Sequence, residues 1–140
     1  MVFQRKKQIR FSHCDPAGIG FYPRYVALFN ETVEDWFADG LGVNFFSLHD
    51  EHKLGIPTVR LEVDFKQPSR YGDILTFELR VLDMGNTSAT LEIVARGEDE
   101  AIRIRGILKV VLVSLGDLRP QPWSDFWRLQ FGRYLEKAAT

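Results

Sequence analysis

The sequence predicts an α+β fold in which one long helix packs on an antiparallel sheet of about five strands. Apolar residues recur at spacings of three and four from Val26 to Phe37, which indicates one helical face. From Thr58 onward apolar and polar residues alternate, which indicates strands with one covered and one wetted face. Because the chain offers a single strongly apolar helix, that helix is the natural cover for the dry face of the sheet.

The first half of the chain supplies one strand and the helix. A strand is predicted over residues 4–12, and the helix runs over residues 23–39. Pro23 suits the first helical turn, where its missing N–H costs no hydrogen bond. Gly40 suits the position just beyond the helix end. Residues 43–52 form either a short helix or an irregular loop.

The second half supplies the rest of the sheet. Short turns separate its strands, which implies antiparallel pairing. No repeat, linker or low-complexity segment interrupts the pattern, so we expect a single domain over residues 1–140. The predicted segments are four strands over 58–66, 73–82, 87–96 and 101–114, and a closing helix over 123–138.

Composition excludes several classes of function. A net charge of −1 provides no basic field for nucleic acid. Cys14 is the one cysteine, so no intrachain disulfide can form, which fits a reducing cytoplasm. No apolar run approaches the ~18 residues of a spanning helix, and the N-terminal residues do not form a secretory signal. We therefore expect a cytoplasmic protein with neither nucleic acid nor a membrane as its partner.

The stretch "DPAGIGFYPRY" resembles the signature of the 4-hydroxybenzoyl-CoA thioesterase family, in its aspartate-dependent branch. In that branch the pattern D-x-D-P-x-G-I leads into a central helix. Asp15 matches the family's catalytic carboxylate, and Tyr22 matches an aromatic or histidine position at the start of the helix. His13 stands where the family pattern has its first acid, so the sequence departs from the family there.

A second stretch, "RLEVDFKQPSRYGDILTFELRV", resembles the second and third strands of the same family, including P-x-R-Y-G-D. The order of elements agrees over residues 5–115. The resemblance implies a hotdog fold, in which a curled sheet of five strands wraps around one long central helix. A C-terminal helix follows in this chain.

The resemblance also implies a function. We expect an acyl-CoA thioesterase that hydrolyses an aryl or medium-chain acyl-CoA, similar to 4-hydroxybenzoyl-CoA, without a metal or an organic cofactor. The family assembles as dimers, often paired into tetramers, with sites at the subunit interface. Gly55 and Pro57, which open the second strand, are implied to line the acyl pocket, either that of their own subunit or that of a neighbouring one. Asn30 matches a polar position that can face the site, although a plain hydrogen bond at the helix flank is an equal alternative.

Elementary chemistry explains why these residues suit thioester hydrolysis. A helix N-terminus offers free N–H groups, so the Tyr22 N–H is a candidate donor to the oxyanion. A carboxylate just upstream can attack the carbonyl or deprotonate a water, and the sequence leaves this choice open. Gly18 lets the loop approach a ligand closely. The competing interpretation of Asp15 is an ordinary turn, because Asp-Pro commonly begins one.

Other side chains are weaker candidates. Glu31 falls opposite the apolar stripe of the helix, and Glu34 is a reserve acid. His49 and His52 lack a third metal ligand. His13 and Cys14 should point to opposite faces, so they do not form a pair. Cations that could hold CoA phosphates, or simply lie on solvated strand faces, are Lys66, Arg70, Arg96, Arg103 and Arg105.

Two other functions remain open. A hotdog domain can bind acyl-CoA or acyl-carrier protein without catalysis. A hotdog dehydratase is less consistent with the sequence, because that chemistry usually pairs a histidine with an acid and no histidine occupies the expected helix position.

Overall fold

The computed structural model describes all residues from 1 to 140. Seven strands are numbered along the chain: β1 (Phe3–Gln8), β2 (Leu54–Gly55), β3 (Thr58–Phe65), β4 (Ile74–Met84), β5 (Ser88–Arg96), β6 (Ile102–Val111) and β7 (Val113–Ser114). Five of them form an antiparallel sheet in the order β1–β4–β5–β6–β3, and β2 pairs with β7 in a separate two-stranded sheet. The predicted five-stranded antiparallel sheet is confirmed.

Helix α1 (Tyr22–Asp35) lies on one face of this sheet and continues through wider π-helical turns over Trp36–Leu41. Gly42, with a φ of 76°, ends it in a left-handed conformation. The helix approaches the sheet closely because β6 carries Gly106. A Cβ at that position would lie 2.7 Å from the ring of Phe29. A sheet wrapped around one long helix is the hotdog fold that the sequence predicts.

The core lies between α1 and the sheet. Helix α2 (Asp125–Gly132) closes one end of it, and the Ser124 hydroxyl caps this helix by accepting from the Trp127 N–H at 3.4 Å. Neither α1 nor α2 has the combination of length and apolar character that crossing a membrane requires. The largest fully buried side chains of the core are Trp36, Phe29, Phe37, Phe77 and Phe131.

Several element boundaries differ from the sequence prediction. The helix continues through wider turns past Gly40, which the sequence places just beyond its end, to Leu41. The strand predicted over 101–114 is divided into β6 and β7. The first strand ends at Gln8 instead of residue 12, because Phe11–His13 form a 3₁₀ turn. The Arg10 N–H donates to His13 Nδ1 at 2.9 Å, which closes this turn locally. The closing helix spans only Asp125–Gly132 instead of 123–138.

The C-terminal segment leaves its helix because β4 has an open edge. Strand β1 pairs with β4 only as far as Leu79, so the backbone of Val81 is left without a strand on that side. The Val81 N–H donates to the Tyr134 carbonyl at 2.9 Å, and the Val81 carbonyl accepts from the Glu136 N–H at 3.0 Å. An unpaired backbone group is costly when buried, and these two bonds remove that cost.

Strand β3 is an edge strand whose apolar face α1 does not cover. Leu61 and Phe65 pair with Leu108 and Ile104, which are buried against the helix side of the sheet. Paired residues share a face, so Leu61 and Phe65 also point to the helix side. They are nevertheless 38% and 52% exposed. The strand therefore presents an apolar strip next to the helix.

Candidate active site

The loop Asp15–Gly20 is a tight turn that leads directly into α1. The Gly18 N–H donates to the Asp15 carbonyl at 2.9 Å, and the Asp15 N–H donates to the Ile19 carbonyl at 3.0 Å. Gly18 has a φ of 77°, a region in which other residues are strained, so a glycine is required for the turn. The turn fixes Asp15 only a few residues before the helix begins.

The Asp15 carboxylate is half-buried, and its two oxygens have different surroundings. Oδ1 accepts from the Ala17 N–H at 2.9 Å and from the Ile19 N–H at 3.4 Å. Oδ2 takes part in no hydrogen bond within the chain. The side chain is thus held by one oxygen in an Asx turn, while the other oxygen is available to a ligand or a water.

The start of α1 has a free backbone donor. Phe21 occupies the cap position without a side-chain cap, and no acidic residue lies in the first turn. Pro23 has no N–H, and the Arg24 N–H donates to the Phe21 carbonyl at 2.9 Å. The Tyr22 N–H has no acceptor within the chain. It points from the positive end of the helix dipole, where a developing negative charge is stabilised.

An aromatic wall stands beside this loop. The Tyr22 ring, 62% exposed, lies at 5.5 Å from the Phe21 ring and at 6.5 Å from the Phe65 ring. The buried Tyr25 ring is 6.3 Å from Phe65 on its other side. Exposed aromatic rings at the helix start that follows the Asp15 loop suit an apolar or aromatic ligand. Sequence reasoning missed Phe65 and Tyr25 as site residues, although Phe65 ends the alternating pattern of β3.

The structure brings together only part of the site that the sequence predicts. Asp15, Gly18 and Tyr22 lie in one loop and the helix start that follows it. Gly55 lies buried in β2, and Pro57 precedes the first residue of β3. Strand β3 reaches the aromatic wall only through Phe65, its last residue. An extended strand of this length spans about 25 Å, and Pro57 lies at the opposite end. Within one chain, these two residues are therefore remote from Asp15.

The remaining helix candidates differ in their surroundings. Asn30 and Glu34 are exposed on α1, and neither side chain forms a hydrogen bond within the chain. Glu31 accepts from Lys7 Nζ at 2.7 Å, and Asp35 accepts from the same ammonium at 2.8 Å. Burial lowers the pKa of Lys7, but the hydrogen bonds that Lys7 donates to the Asp35 and Glu31 carboxylates outweigh burial, so the pKa is raised overall. Glu31 therefore ties α1 to β1.

His13 contributes its backbone and ring to the same region. Its carbonyl accepts the Phe21 N–H at 2.8 Å, which orients the residue that caps α1. Burial lowers the pKa of the His13 imidazole, and the charges of Arg10 and Arg24 act in the same direction. The neighbouring Cys14 is half-buried, and its Sγ lies 3.5 Å from the Arg10 carbonyl. The two side chains do not contact each other through a hydrogen bond.

Three of the cations that the sequence suggests for CoA phosphates already form ion pairs within the chain. Arg96 Nε lies 3.0 Å from a Glu78 carboxylate oxygen, and Arg105 Nε lies 3.3 Å from Glu92. Arg103 Nη1 lies 3.5 Å from Asp73. The exposed cations without an ion pair beside the loop are Arg10, Arg24, Lys66 and Arg70.

Comparison with known proteins places the chain in a family. Residues 9–131 match the model of the Thioesterase-like superfamily, and the chain belongs to that superfamily. A 1,4-dihydroxy-2-naphthoyl-CoA hydrolase of Synechococcus elongatus is 31% identical over 86 residues, which are 59% of this chain and 61% of that relative. The matched part of the chain thus spans less than two thirds of that curated relative.

Solved structures share the fold. A member of the thioesterase superfamily from Jannaschia sp. is 22% identical, with a TM-score of 0.89 over 96% of this chain and 94% of that one. A gentisyl-coenzyme A thioesterase is 25% identical, with a TM-score of 0.82 over 90% of this chain and 99% of that one.

Proposed function

We propose that the protein is an acyl-CoA thioesterase that hydrolyses an aryl or medium-chain acyl-CoA to the free acid and CoA. The observation that carries the proposal is that the loop before α1 has a free carboxylate oxygen on Asp15 while the helix start that follows it has a free N–H on Tyr22 and an aromatic wall. Membership of the Thioesterase-like superfamily supports the same chemistry.

The proposed mechanism begins with the thioester carbonyl oxygen accepting a hydrogen bond from the Tyr22 N–H. Asp15 Oδ2 then acts in one of two ways. As a nucleophile it attacks the carbonyl carbon, the C–S bond breaks with release of CoA thiolate, and water cleaves the resulting anhydride. As a general base it removes a proton from a water that attacks the same carbon; the C–S bond then breaks, and the departing CoA thiolate takes the proton from Asp15. In both routes the negative charge on the carbonyl oxygen is stabilised at the start of α1.

An aromatic acyl group fits the surroundings best. Phe21, Tyr22 and Phe65 offer ring faces and edges at one side of the loop. Proteins similar to this chain are named for 1,4-dihydroxy-2-naphthoyl-CoA and gentisyl-CoA, which both carry a hydroxylated aromatic ring. A substrate similar to 4-hydroxybenzoyl-CoA, and a place in the aspartate-dependent branch, are therefore part of this proposal.

Cations at the mouth of the site supply a place for the CoA phosphates. Arg24 lies in the first turn of α1, where a cation opposes the helix dipole. Arg10 lies beside His13, and Arg70 bridges to Ile19 at the end of the loop. None of the three is paired with a carboxylate, so each is available to an anionic ligand.

A dimer would complete the site. Two β3 strands that pair antiparallel about a two-fold axis place the end of one strand beside the beginning of the other. Phe65 of one chain would then lie next to Pro57 and Gly55 of a second copy. This arrangement reconciles the predicted acyl-pocket residues with their remoteness from Asp15 within one chain. Pairs of such dimers would give the tetramer that the family resemblance implies.

One observation favours a second candidate function. The Asp15 carboxylate already serves a turn through Oδ1, so its position has a purely structural explanation. A non-enzymatic hotdog domain that binds acyl-CoA or acyl-carrier protein would need nothing more from this residue.

The deciding experiment follows thiol release from aryl, short, medium and long acyl-CoA thioesters by purified protein and by Asp15→Asn. We expect turnover by the unmodified protein, fastest on an aryl-CoA, and a loss of at least about a hundredfold in kcat for Asp15→Asn. Asparagine keeps an oxygen for the Ala17 N–H, so the turn is preserved.

Glu34→Gln is measured beside it, because Glu34 is the reserve acid and is exposed on α1. A loss of turnover in Glu34→Gln but not in Asp15→Asn would transfer the catalytic role to Glu34. Acyl-CoA binding without turnover on any substrate would establish the non-enzymatic alternative. Equal turnover in Asp15→Asn and the unmodified protein would remove Asp15 from the mechanism.

A further inference from the structure

Arg103, on β6, anchors the turn that connects β3 to β4. Its side chain is 17% exposed, and one nitrogen, Nη1, faces three acceptors on this turn. They are the Pro68 carbonyl at 3.3 Å, Ser69 Oγ at 3.2 Å and Asp73 Oδ2 at 3.5 Å. Asp73 Oδ2 also accepts the Arg70 N–H at 3.0 Å. A single guanidinium therefore fixes both ends of the turn.

The same turn holds the loop that carries Asp15. Ser69 is fully buried, and its carbonyl accepts the Gly20 N–H at 2.8 Å. Next to it, Ile19 and Arg70 form an antiparallel bridge. Ile19 in turn accepts the Asp15 N–H and donates to Asp15 Oδ1. A chain of hydrogen bonds thus runs from Arg103 through Ser69 to the Asp15 loop.

Helix α1 holds the loop from its other side. The Tyr25 hydroxyl packs on Gly20 so closely that a Cβ there would lie 2.1 Å from the oxygen. Burial raises the pKa of the Tyr25 hydroxyl, and hydrogen bonding with Ser69 offsets part of this increase. The end of the loop is therefore clamped between Tyr25 and Ser69, with Arg103 behind them.

We propose that Arg103 is a positioning residue that, through Ser69, sets the orientation of Asp15 Oδ2 relative to the Tyr22 N–H. This inference rests on the proposed thioesterase function. Arg103 does not touch Asp15 or the reacting atoms. Its Nη1 is engaged by the turn, and its Nε is buried without a partner, so we assign this side chain to the geometry of the loop instead of to CoA phosphates. Catalysis is sensitive to such geometry, because a displacement of about 1 Å can cost on the order of a hundredfold in rate.

The kinetic test compares Arg103→Gln and Ser69→Ala with Arg105→Gln. Arg105 lies two residues further along β6, and it contacts Glu92 and the Ala139 carbonyl instead of the turn. We expect kcat to fall about ten- to a hundredfold in the first two variants while KM changes less than about threefold. Arg103→Lys should recover part of kcat because it keeps the charge. Arg105→Gln should leave kcat within about twofold of the unmodified protein.

The double variant Arg103→Gln/Asp15→Asn separates positioning from general destabilisation. If Arg103 acts through Asp15, adding Arg103→Gln to Asp15→Asn leaves the residual rate unchanged. A full additional loss in the double variant, or an unchanged kcat in Arg103→Gln alone, would overturn the proposal. If kcat falls in Arg103→Gln as expected but is unchanged in Asp15→Asn, the function assigned to Asp15 would be overturned instead.

Amide hydrogen exchange supplies a readout that needs no turnover. The Gly20 and Asp15 N–H groups should exchange at least about tenfold faster in Arg103→Gln and Ser69→Ala than in Arg105→Gln. Unchanged exchange at these two amides would refute the positioning role even if the protein hydrolysed no thioester. Absence of hydrolysis by the unmodified protein would refute the proposed function alone.

Discussion

Under the proposed mechanism, Asp15 would be both a turn-forming residue and the reactive carboxylate. Its Oδ1 stabilises the loop through the Ala17 N–H, while its Oδ2 has no partner in the chain. The turn therefore does part of what catalysis requires, because it restricts the rotation of the carboxylate before any substrate binds. The free Tyr22 N–H is close in sequence for the same reason, since the loop leads directly into the helix.

At Gly20 a single added methyl group should disturb this arrangement. The Cβ of Gly20→Ala would lie 2.1 Å from the Tyr25 hydroxyl, well inside contact distance. We expect the variant to lose about 1–3 kcal/mol of unfolding free energy and most of its kcat, as measured by urea denaturation and thiol release. Gly116→Ala is the control, because its Cβ would meet only Ser114 Oγ at 3.5 Å. Equal stability of the two variants would contradict the tight contact with Tyr25.

The local sequence was sufficient to predict that some candidate site residues lie together, but it was insufficient for others. Asp15, Gly18 and Tyr22 are near neighbours in the chain, so a single motif predicts that they lie together. Ser69 and Arg103 reach the same loop only through the folded sheet. Hydrophobic periodicity cannot predict a contact between residues that lie so far apart in the sequence. Pro57 and Gly55 are a third case, because the fold of one chain does not bring them to Asp15 and their proposed role would require a second copy.

Among the elements, α1 and β1 are joined by a charged contact at their exposed flank. Lys7, 11% exposed, bridges Glu31 and Asp35, and Arg5 contacts Asp39 one turn further along the helix. The strand and helix lie beside each other without a third element covering this flank. The contact therefore fixes the helix at the free edge of the sheet.

The raised pKa of Lys7 predicts how this contact depends on pH. Because the folded-state pKa lies above the usual lysine value of 10.5, the contribution to stability is fully present below pH 10.5. It is lost as the pH rises further through the folded-state pKa. We expect the difference in unfolding free energy between the unmodified protein and Lys7→Met to shrink above pH 10.5, as measured by urea denaturation at several pH values. Lys109→Met, at an exposed position without an ion pair, should show no such trend; a constant difference for Lys7→Met would refute the assignment.

Hydrophobic periodicity predicted α1, β4 and β6 well because each of them buries one face. It missed the ends of several elements, because those ends depend on interactions that periodicity does not describe. The 3₁₀ turn at Phe11–His13 depends on a hydrogen bond from the Arg10 N–H to a side chain. The β2–β7 pair contains two residues on each side, which is too short to show alternation. The early end of α2 depends on the open edge of β4 at Val81.

At the scale of the whole molecule, a single chain leaves the apolar face of its edge strand β3 uncovered. An exposed edge strand with an apolar face invites pairing with another strand. A two-fold pairing through β3 would cover Leu61 and Phe65 and would bring Pro57 of a second copy to the aromatic wall. The catalytic unit would then be a dimer, with each site built from both chains.

Leu61→Lys tests this assembly without disturbing the fold of one chain. Leu61 is 38% exposed in the single chain, so the monomer should tolerate a lysine whose stem lies on the surface, whereas a β3-paired dimer would bury its charge. We expect light scattering to give a mass of about twice 16.2 kDa, or a multiple of that dimer, for the unmodified protein and a shift toward 16.2 kDa for Leu61→Lys. Turnover should fall at least about tenfold, because an incomplete pocket no longer orients the acyl group. Glu62→Lys, on the opposite face of the same strand, should retain assembly and activity; a fully active Leu61→Lys monomer would show that one chain suffices.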